Sequence, residues 1–311
     1  SHSGLTDYSA SGIGILQSVS TGSLDGLTIA RNQISNVNVN TGTWPTGKIA
    51  YGIQINVGGG SAYLTNGKVI DANVSGNMIV NLTGYISTGI ALEGNTENAV
   101  VANNDVSLLT GYKVGVRAGG GYDLQALKFE NNRYVQTCTV ENNAFRANTF
   151  THGTGGAGTG YAIANYVPVG GTYTGGTTGA AILGCNWLGS DDPAVLGDNA
   201  TFTGKVFNKD GCITHFLPAL ADDTDNDGAT PGFQPATGTC TVNGPASIGG
   251  TQYATLQEAI DAANDGDIIL VDVSGTYGGI VFNKPGMSVT LQPSPGITVT
   301  LVGASPALTV T

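Results

Sequence analysis

Two short patterns recur along the first part of the chain, and they constrain its fold more than any other feature. A Gly-apolar-x-apolar pattern occurs at residues 12–15, 52–55, 89–92 and 115–118. An Asn-centred pattern occurs at residues 31–34, 76–79, 103–106 and 141–145. Self-similarity of this kind indicates a solenoid, in which each repeat packs only against its neighbours.

The repeated residues have clear physical roles in such a stack. Alternating Ile, Val and Leu side chains point into a narrow core, and the residues between them face solvent. Gly serves where the backbone bends or takes positive φ, and Asn tolerates the same conformation. Because equivalent Asn residues would lie at one corner of successive repeats, we expect their side chains to form a hydrogen-bonded ladder.

The composition agrees with a chain of many short strands. Gly accounts for 49 residues and charged residues for only 11%, less than half the usual charged share. The net charge of −11 argues against nucleic acid as a partner, because phosphates require a basic surface. No apolar run is long enough to span a membrane. We therefore expect an extracellular or cell-surface protein.

A different pattern appears between residues 253 and 277. Thr255 and Glu258 have the spacing of a capping box, and an apolar stripe at helical spacing follows. The stripe comprises Leu256, Ala259, Ile260 and Ala263. These residues predict one short amphipathic helix near residues 255–264. The apolar run 268–271 then predicts a strand buried on both faces.

This stretch resembles the opening of a right-handed parallel β-helix in secreted bacterial surface and adhesin-type repeat proteins. In those proteins a short helix covers the apolar end of the stack. Residues 185–193 resemble the Asn-Trp-Trp-Gly segment that closes many such domains, with Leu188 in place of the second Trp. The resemblance implies an all-β chain folded as a right-handed parallel β-helix.

The order of these two segments divides the chain into three parts. Residues 1–220 are the C-terminal part of one β-helix stack, and residues 221–250 are an acidic, Pro-rich linker. Residues 251–311 are the helix cap and first coils of a second stack. An unfinished stack exposes unpaired backbone and an apolar cross-section. We therefore expect copies to continue one another head-to-tail, in tandem or as separate subunits.

The function predicted from this arrangement is structural and non-enzymatic: a repeat unit of an extracellular fibre, surface layer or adhesin. Two alternatives stay open. One is a carbohydrate-active β-helix enzyme, a polysaccharide lyase or hydrolase, for which Asp191 with Asp192 and Asp265 with Asp267 are paired carboxylates. The other is a glycan-binding adhesin module. Its lateral pocket would be made by loops at Trp44, Gly120 and Gly153.

The linker contains an Asp-x-Asp-x-Asp-Gly sequence formed by Asp223, Asp225, Asp227 and Gly228. Carboxylates at alternate positions before a Gly turn can converge on calcium. The twelfth position is Gln234 rather than the Glu of an EF-hand. We consider Ca²⁺ the candidate cofactor, and a solvated acidic linker is the alternative.

The chain has four cysteines, an even number that permits two disulfides in a secreted protein. The preferred pairs are Cys212 with Cys240 across the linker and Cys138 with Cys185 within the stack. The alternative is four buried thiols, because Cys is also a small core residue.

Overall fold

The structure is a computed structural model. It describes residues 9–17, 22–39, 48–57, 67–111, 124–130, 135–136, 138–146, 160–166, 181–191, 206–208, 214–238, 240, 243–302 and 308–310.

The described residues before position 216 form four parallel β-sheets, which we name A to D. Sheet A contains β1 (Ala10–Gln17), β5 (Ile49–Val57), β9 (Ile86–Glu93), β13 (Leu124–Glu130), β17 (Gly160–Tyr166) and β19 (Val206–Asn208). Sheet B contains β2 (Ser23–Asp25), β6 (Lys68–Ile70), β10 (Asn95–Glu97) and β14 (Val135–Gln136). Sheet C contains β3 (Thr28–Ala30), β7 (Asn73–Ser75), β11 (Val100–Ala102), β15 (Thr139–Glu141), β18 (Ala181–Gly184) and β20 (Thr214–His215). Sheet D contains β4 (Gln33–Asn38), β8 (Met78–Gly84), β12 (Asp105–Gly111) and β16 (Ala144–Phe145).

From β1 to β16 the chain visits the sheets in the order A, B, C, D and then returns to A, so each strand pairs with its equivalent in the next round. The described strands β17 to β20 then lie alternately in sheets A and C. In sheet A, Ile13 aligns with Ile53, and Ile53 aligns with Ile90. The register continues through Leu127 and Ile163. The prediction of an all-β chain is confirmed, and the repeated strands pair in parallel.

One repeat of the Gly-apolar-x-apolar pattern does not coincide with the strand that pairs with β9. The Gly-apolar-x-apolar pattern placed the strand that follows β9 at residues 115–118, but the structure pairs β9 with β13. Residues 115–118 lie outside the described residues. The pattern failed because Ala126, rather than Gly, stands between the two aligned pairs Thr88–Gln125 and Ile90–Leu127.

Aliphatic columns from the four sheets share one core. Ile53, Ile90, Leu127 and Ile163 are completely buried there, and they pack with sheet D residues such as Ile79. Complete burial of four stacked aliphatic side chains stabilises the fold by about 2 kcal/mol for each.

Gly52 is required where sheets A and D approach each other. A Cβ at this position would lie 2.5 Å from Ile79 Cγ2 and 2.5 Å from the carbonyl oxygen of Gly89. Gly52 therefore faces the core, as Ile53 does. The inward positions of Gly52 and Ile53 interrupt the strict alternation of side chains, so Tyr51 faces the outer side of the sheet, where its hydroxyl donates to Glu93.

The predicted Asn ladder is confirmed. Its rungs are Asn32, Asn77, Asn104, Asn143 and Asn186. Each Nδ2 donates to the Oδ1 of the next rung at 2.8–2.9 Å. The backbone N–H of each rung donates to the same oxygen at 2.9–3.0 Å. The residue before each rung has positive φ, namely Arg31, Gly76, Asn103, Asn142 and Cys185.

The C-terminal region forms a smaller unit with its own core. It contains β21 (Ala246–Ile248), β22 (Thr251–Tyr253), α1 (Leu256–Ala262), β23 (Ile268–Val271), β24 (Gly275–Gly278), β25 (Ile280–Phe282), β26 (Thr290–Pro293), β27 (Val299–Val302) and β28 (Leu308–Val310). β21 is antiparallel to β22 and β23, whereas β26, β27 and β28 pair in parallel with β23, β24 and β25.

The predicted helix is confirmed as α1. The Thr255 hydroxyl accepts the Glu258 N–H at 3.1 Å, and Glu258 Oε2 accepts the Ala254 N–H at 3.1 Å, as in a capping box. The predicted stripe is buried in the core of this unit. The expectation that residues 268–271 are buried on both faces was wrong, because Ile268 is 51% exposed. No helix within the described ranges has the length and apolar character needed to cross a membrane.

Candidate functional site

The first strand set, β1 to β4, presents an incompletely buried apolar surface. Four of its inward side chains, Ile13, Ile15, Leu24 and Val37, are only partly buried. The inward side chains Ile29 and Ile34 of the same set are buried. One set further on, the register partners of the four partly buried side chains, Ile55 and Leu82 among them, are completely buried. Among the described residues these four strands have a sheet neighbour on one side only. We call the four partly buried side chains the head surface.

A second surface of the same kind lies on the last strand set, β26 to β28. Leu291, Val299 and Leu301 lie on these strands, and Val289 directly precedes β26. We call these four apolar residues the tail surface. Leu291 is half-buried although its register partner Ile269 is 1% exposed. Leu301, aligned with Tyr277, is 37% exposed.

An apolar cavity adjoins the tail surface within the C-terminal unit. Its volume is about 300 Å³. It is lined by Ile260, Ile269, Phe282, Met287, Ser288, Val289 and Leu291. Side chains that line an unfilled apolar space lose dispersion contacts. The tail end of the chain is therefore less completely packed than the core of the four sheets.

The opposite end of the first stack is covered by the chain that follows it. Phe216, Leu217 and Ala219 are buried in its core. Ala254, which lies between β22 and α1, joins the same core. The strands of the C-terminal unit begin beyond this cover. Among the described strand sets, the head and tail surfaces are thus the two ends that no such segment covers.

The predicted linker is an ordered part of the first stack. Its residues 221–238, which we call the linker segment, fold back along the corner between sheets C and D. Phe233 is completely buried in a cluster with Ala144, Leu220 and Trp187. The Phe233 N–H donates to the Asn103 carbonyl at 2.8 Å, and Asn103 Nδ2 donates to the Phe233 carbonyl at 3.1 Å.

Arg146 holds the acidic half of the linker segment. Its Nε donates to Asp105 Oδ1 at 3.0 Å and its Nη1 donates to Asp223 Oδ2 at 2.8 Å. The guanidinium also lies over the Phe233 ring, 5.7 Å from the centroid, within cation–π range. These partners are far apart in sequence, and no local pattern predicted the cluster.

The Arg146 cluster changes the ionisation of its members. Burial raises the pKa of Asp105 above its usual value of 3.8, against the hydrogen bond and charge of Arg146. Burial lowers the pKa of Arg146. The hydrogen bond to Asp105 and the negative charges of Asp105 and Asp223 outweigh burial, so the pKa of Arg146 is raised. Contact with Arg146 therefore limits the rise in the pKa of Asp105 that burial causes.

The three carboxylates predicted to bind calcium make separate contacts. Asp223 pairs with Arg146, and Asp225 Oδ1 accepts the Asp227 and Gln234 N–H groups at 3.1 and 3.2 Å. Asp227 Oδ2 accepts the Thr230 hydroxyl at 2.7 Å. In the described part of the chain no three His, Cys, Asp or Glu side chains converge as metal ligands do. Calcium binding by this loop stays a prediction.

The preferred disulfide pairs were wrong. Cys185 is bonded to Cys240, with a Cα–Cα distance of 5.0 Å. Cys138 is a buried thiol whose Sγ donates to the Thr96 carbonyl at 3.8 Å, and Cys212 lies outside the described residues. The pairing was not predictable, because it requires the linker segment to double back and bring Cys240 to the corner that holds Cys185.

A polar cluster occupies the outer face of sheet A. Glu93 is 8% exposed and accepts hydrogen bonds from Tyr51, Gln54 and Asn56 at 3.2, 2.9 and 2.6 Å. Thr88, the register partner of Tyr51, is also buried, and its Oγ1 has no hydrogen-bond partner. No sequence pattern pointed to these residues, because the close contact of Gly52 with Ile79 decides which neighbouring side chains face outward.

Two pairs of carboxylates were considered as catalytic groups. In the pair Asp265 and Asp267, each carboxylate accepts a hydrogen bond from a backbone N–H group. Asp265 Oδ1 accepts the Ser288 N–H and Asp267 Oδ2 accepts the Asn264 N–H, both at 2.7 Å. These bonds shape the turn after α1. Asp191 is exposed. Asp192 and the loops at Trp44, Gly120 and Gly153 lie outside the described residues.

Comparison with known proteins does not assign this chain to a family. No family model, no curated protein and no solved structure matches this chain. The resemblance to secreted β-helical repeat proteins therefore stays a prediction, and the proposals below depend on the geometry of the described residues.

Proposed function

We propose that the chain is a structural repeat unit of an extracellular fibre, surface layer or adhesin, folded as a right-handed parallel β-helix. From β1 to β16 the four parallel sheets are visited in a repeating order, which supports a helical path of the chain around one core. A parallel crossover in one sheet is almost always right-handed. The disulfide between Cys185 and Cys240 supports an oxidising compartment.

The partly buried apolar residues on the first and last strand sets give the main support for a structural role. Ile13, Ile15, Leu24 and Val37 of the first strand set are half-buried, whereas their register partners in the adjacent set are buried. In the last strand set, Leu291 is half-buried beside its buried partner Ile269, and Leu301 is exposed. Such surfaces gain stability when another apolar surface covers them, by about 25 cal/mol for each Å² of apolar area removed from water. A rod with two such ends is suited to association with copies of itself.

The test is self-association of the whole oxidised chain. We expect sedimentation velocity to show species that grow with protein concentration, and electron microscopy to show rods or filaments. A chain that sediments as a monomer at all concentrations up to the millimolar range would contradict the proposal.

The Glu93 cluster favours a second candidate, glycan binding. Its carboxylate, phenol and amide groups are of the kinds that bind sugar hydroxyls. The burial of Glu93, Tyr51 and Thr88 places this function second. Retention on a glycan array that is lost in Glu93→Gln, with unchanged folding, would favour it over the structural role.

A further inference from the structure

We infer that the contact between copies is heterologous: the tail surface of one copy stacks on the head surface of the next. This inference depends on the proposed structural function and specifies its partner, a second copy of this chain. It also specifies the residues in contact, Ile13, Ile15, Leu24 and Val37 on one side and Val289, Leu291, Val299 and Leu301 on the other.

Successive strand sets within the chain already stack in the way that we infer for two copies. When β5 to β8 stack on β1 to β4, parallel strands pair edge to edge and inward aliphatic residues form continuous columns. The head surface lacks a preceding set and the tail surface lacks a following set among the described residues. Head-to-tail stacking supplies both with the neighbour that every interior set has.

Strand direction favours this contact over a two-fold one. Every pair in sheets A to D is parallel, and so are the pairs that join β23–β25 to β26–β28. A head-to-tail contact continues parallel pairing at the strand spacing of about 4.8 Å. A head-to-head or tail-to-tail contact would instead oppose strands in antiparallel orientation, and the inward columns would not continue.

The different numbers of strands at the two ends are compatible with this stacking. Among the described residues the tail set has three strands and the head set has four. The three tail strands can continue three of the head strands, and the fourth head strand then starts its own sheet.

A heterologous contact leaves one head and one tail available after each addition, so it extends without closing. The inference is tested with two variants that each carry charges on one surface. I15K/V37K places lysines on the head surface, and L291K/V299K places lysines on the tail surface. L16K, at a residue that is 70% exposed on the outer face, is the matched control for added charge.

We expect each double variant alone to sediment as a monomer under conditions in which the unmodified chain and L16K assemble. An equimolar mixture of the two double variants should give heterodimers and nothing larger, because one intact head meets one intact tail. If either variant alone still forms dimers, the contact is two-fold and the inference is wrong. If both variants still form filaments, the contact is lateral and the inference is wrong, although the structural function would stand.

A measurement without variants guards against misfolding of the lysine variants. Hydrogen exchange of the unmodified chain is compared below and above the concentration at which it assembles. We expect slower exchange in β1 to β4 and in β26 to β28 together on assembly. Slower exchange at one end alone contradicts head-to-tail stacking. An unmodified chain that never assembles would instead defeat the proposed function.

Discussion

Cys185 forms a disulfide with Cys240 and immediately precedes Asn186, the last rung of the Asn ladder. It has positive φ like the residues before the other rungs. The bond therefore ties the returning linker to the corner of the first stack at the point where the described ladder ends.

Removal of this disulfide should destabilise the chain strongly. The bond closes a loop with a sequence separation of 55, and the chain-entropy model gives about 4 kcal/mol for a loop of this length. We expect C185S/C240S to lose this amount in denaturant unfolding. Reductant should bring the unmodified chain to the same stability and leave the variant unchanged. A loss below about 1 kcal/mol would contradict the prediction.

The ladder should be most sensitive at its middle rungs. Asn104→Ala removes a completely buried amide and leaves the Asn77 and Asn143 side chains without one bond each. We expect a loss of about 4 kcal/mol in the free energy of unfolding, because buried polar groups become unpaired. Asn32→Ala, at the half-buried first rung, is the matched control, with an expected loss of about 1 kcal/mol. Equal losses would argue against a cooperative ladder.

Gly52→Ala should reveal the close approach of sheets A and D. The added Cβ meets Ile79 and the Gly89 carbonyl, so we expect a loss of about 2 kcal/mol by overpacking. Gly14→Ala is the control, because a Cβ there meets only the Ser11 side chain at 3.3 Å or more. The melting temperature should fall more in Gly52→Ala than in Gly14→Ala, and the reverse order would contradict the close contact of Gly52 with Ile79.

The stability contributed by Asp105 should depend on pH in a defined direction. Burial raises the pKa of Asp105 above 3.8, so the folded chain takes up this proton at a higher pH than the unfolded chain. Folded stability from this group therefore rises as pH falls through the folded pKa towards 3.8, and is lost as pH rises. The free energy of unfolding of the unmodified chain, minus that of Asp105→Asn, should therefore increase as the pH is lowered over this range. A difference that is flat or decreases would contradict the shift.

Arg146→Gln should enlarge that pH dependence. Without the guanidinium, the Asp105 side chain, which is 15% exposed, loses its cationic partner. We expect a loss of about 2 kcal/mol at neutral pH, typical of a hydrogen bond to a charged group. Most of it should be recovered in acid, when Asp105 is neutral. A loss that is independent of pH would show that packing on Phe233, rather than charge, is the main contribution.

Local chemistry was sufficient to predict several elements of this protein from sequence. Asn32, Asn77, Asn104 and Asn143 were predicted as a ladder because Asn tolerates the corner conformation and bonds to its own kind. Thr255 and Glu258 predicted the start of α1 because a capping box is complete within four residues. The division of the chain into a closing and an opening segment stays a prediction.

Only the tertiary structure decided the contacts between distant parts of the chain. Three contacts depend on the linker segment folding back on the stack. They are the disulfide of Cys185, the ion pairs of Arg146 with Asp105 and Asp223, and the buried position of Phe233. The outward position of Tyr51 depends on the close contact of Gly52 with Ile79. Periodic residues determine which strands form, since each strand needs only its own neighbours. The path of the linker is determined by packing across the whole fold, which spacing in sequence does not encode.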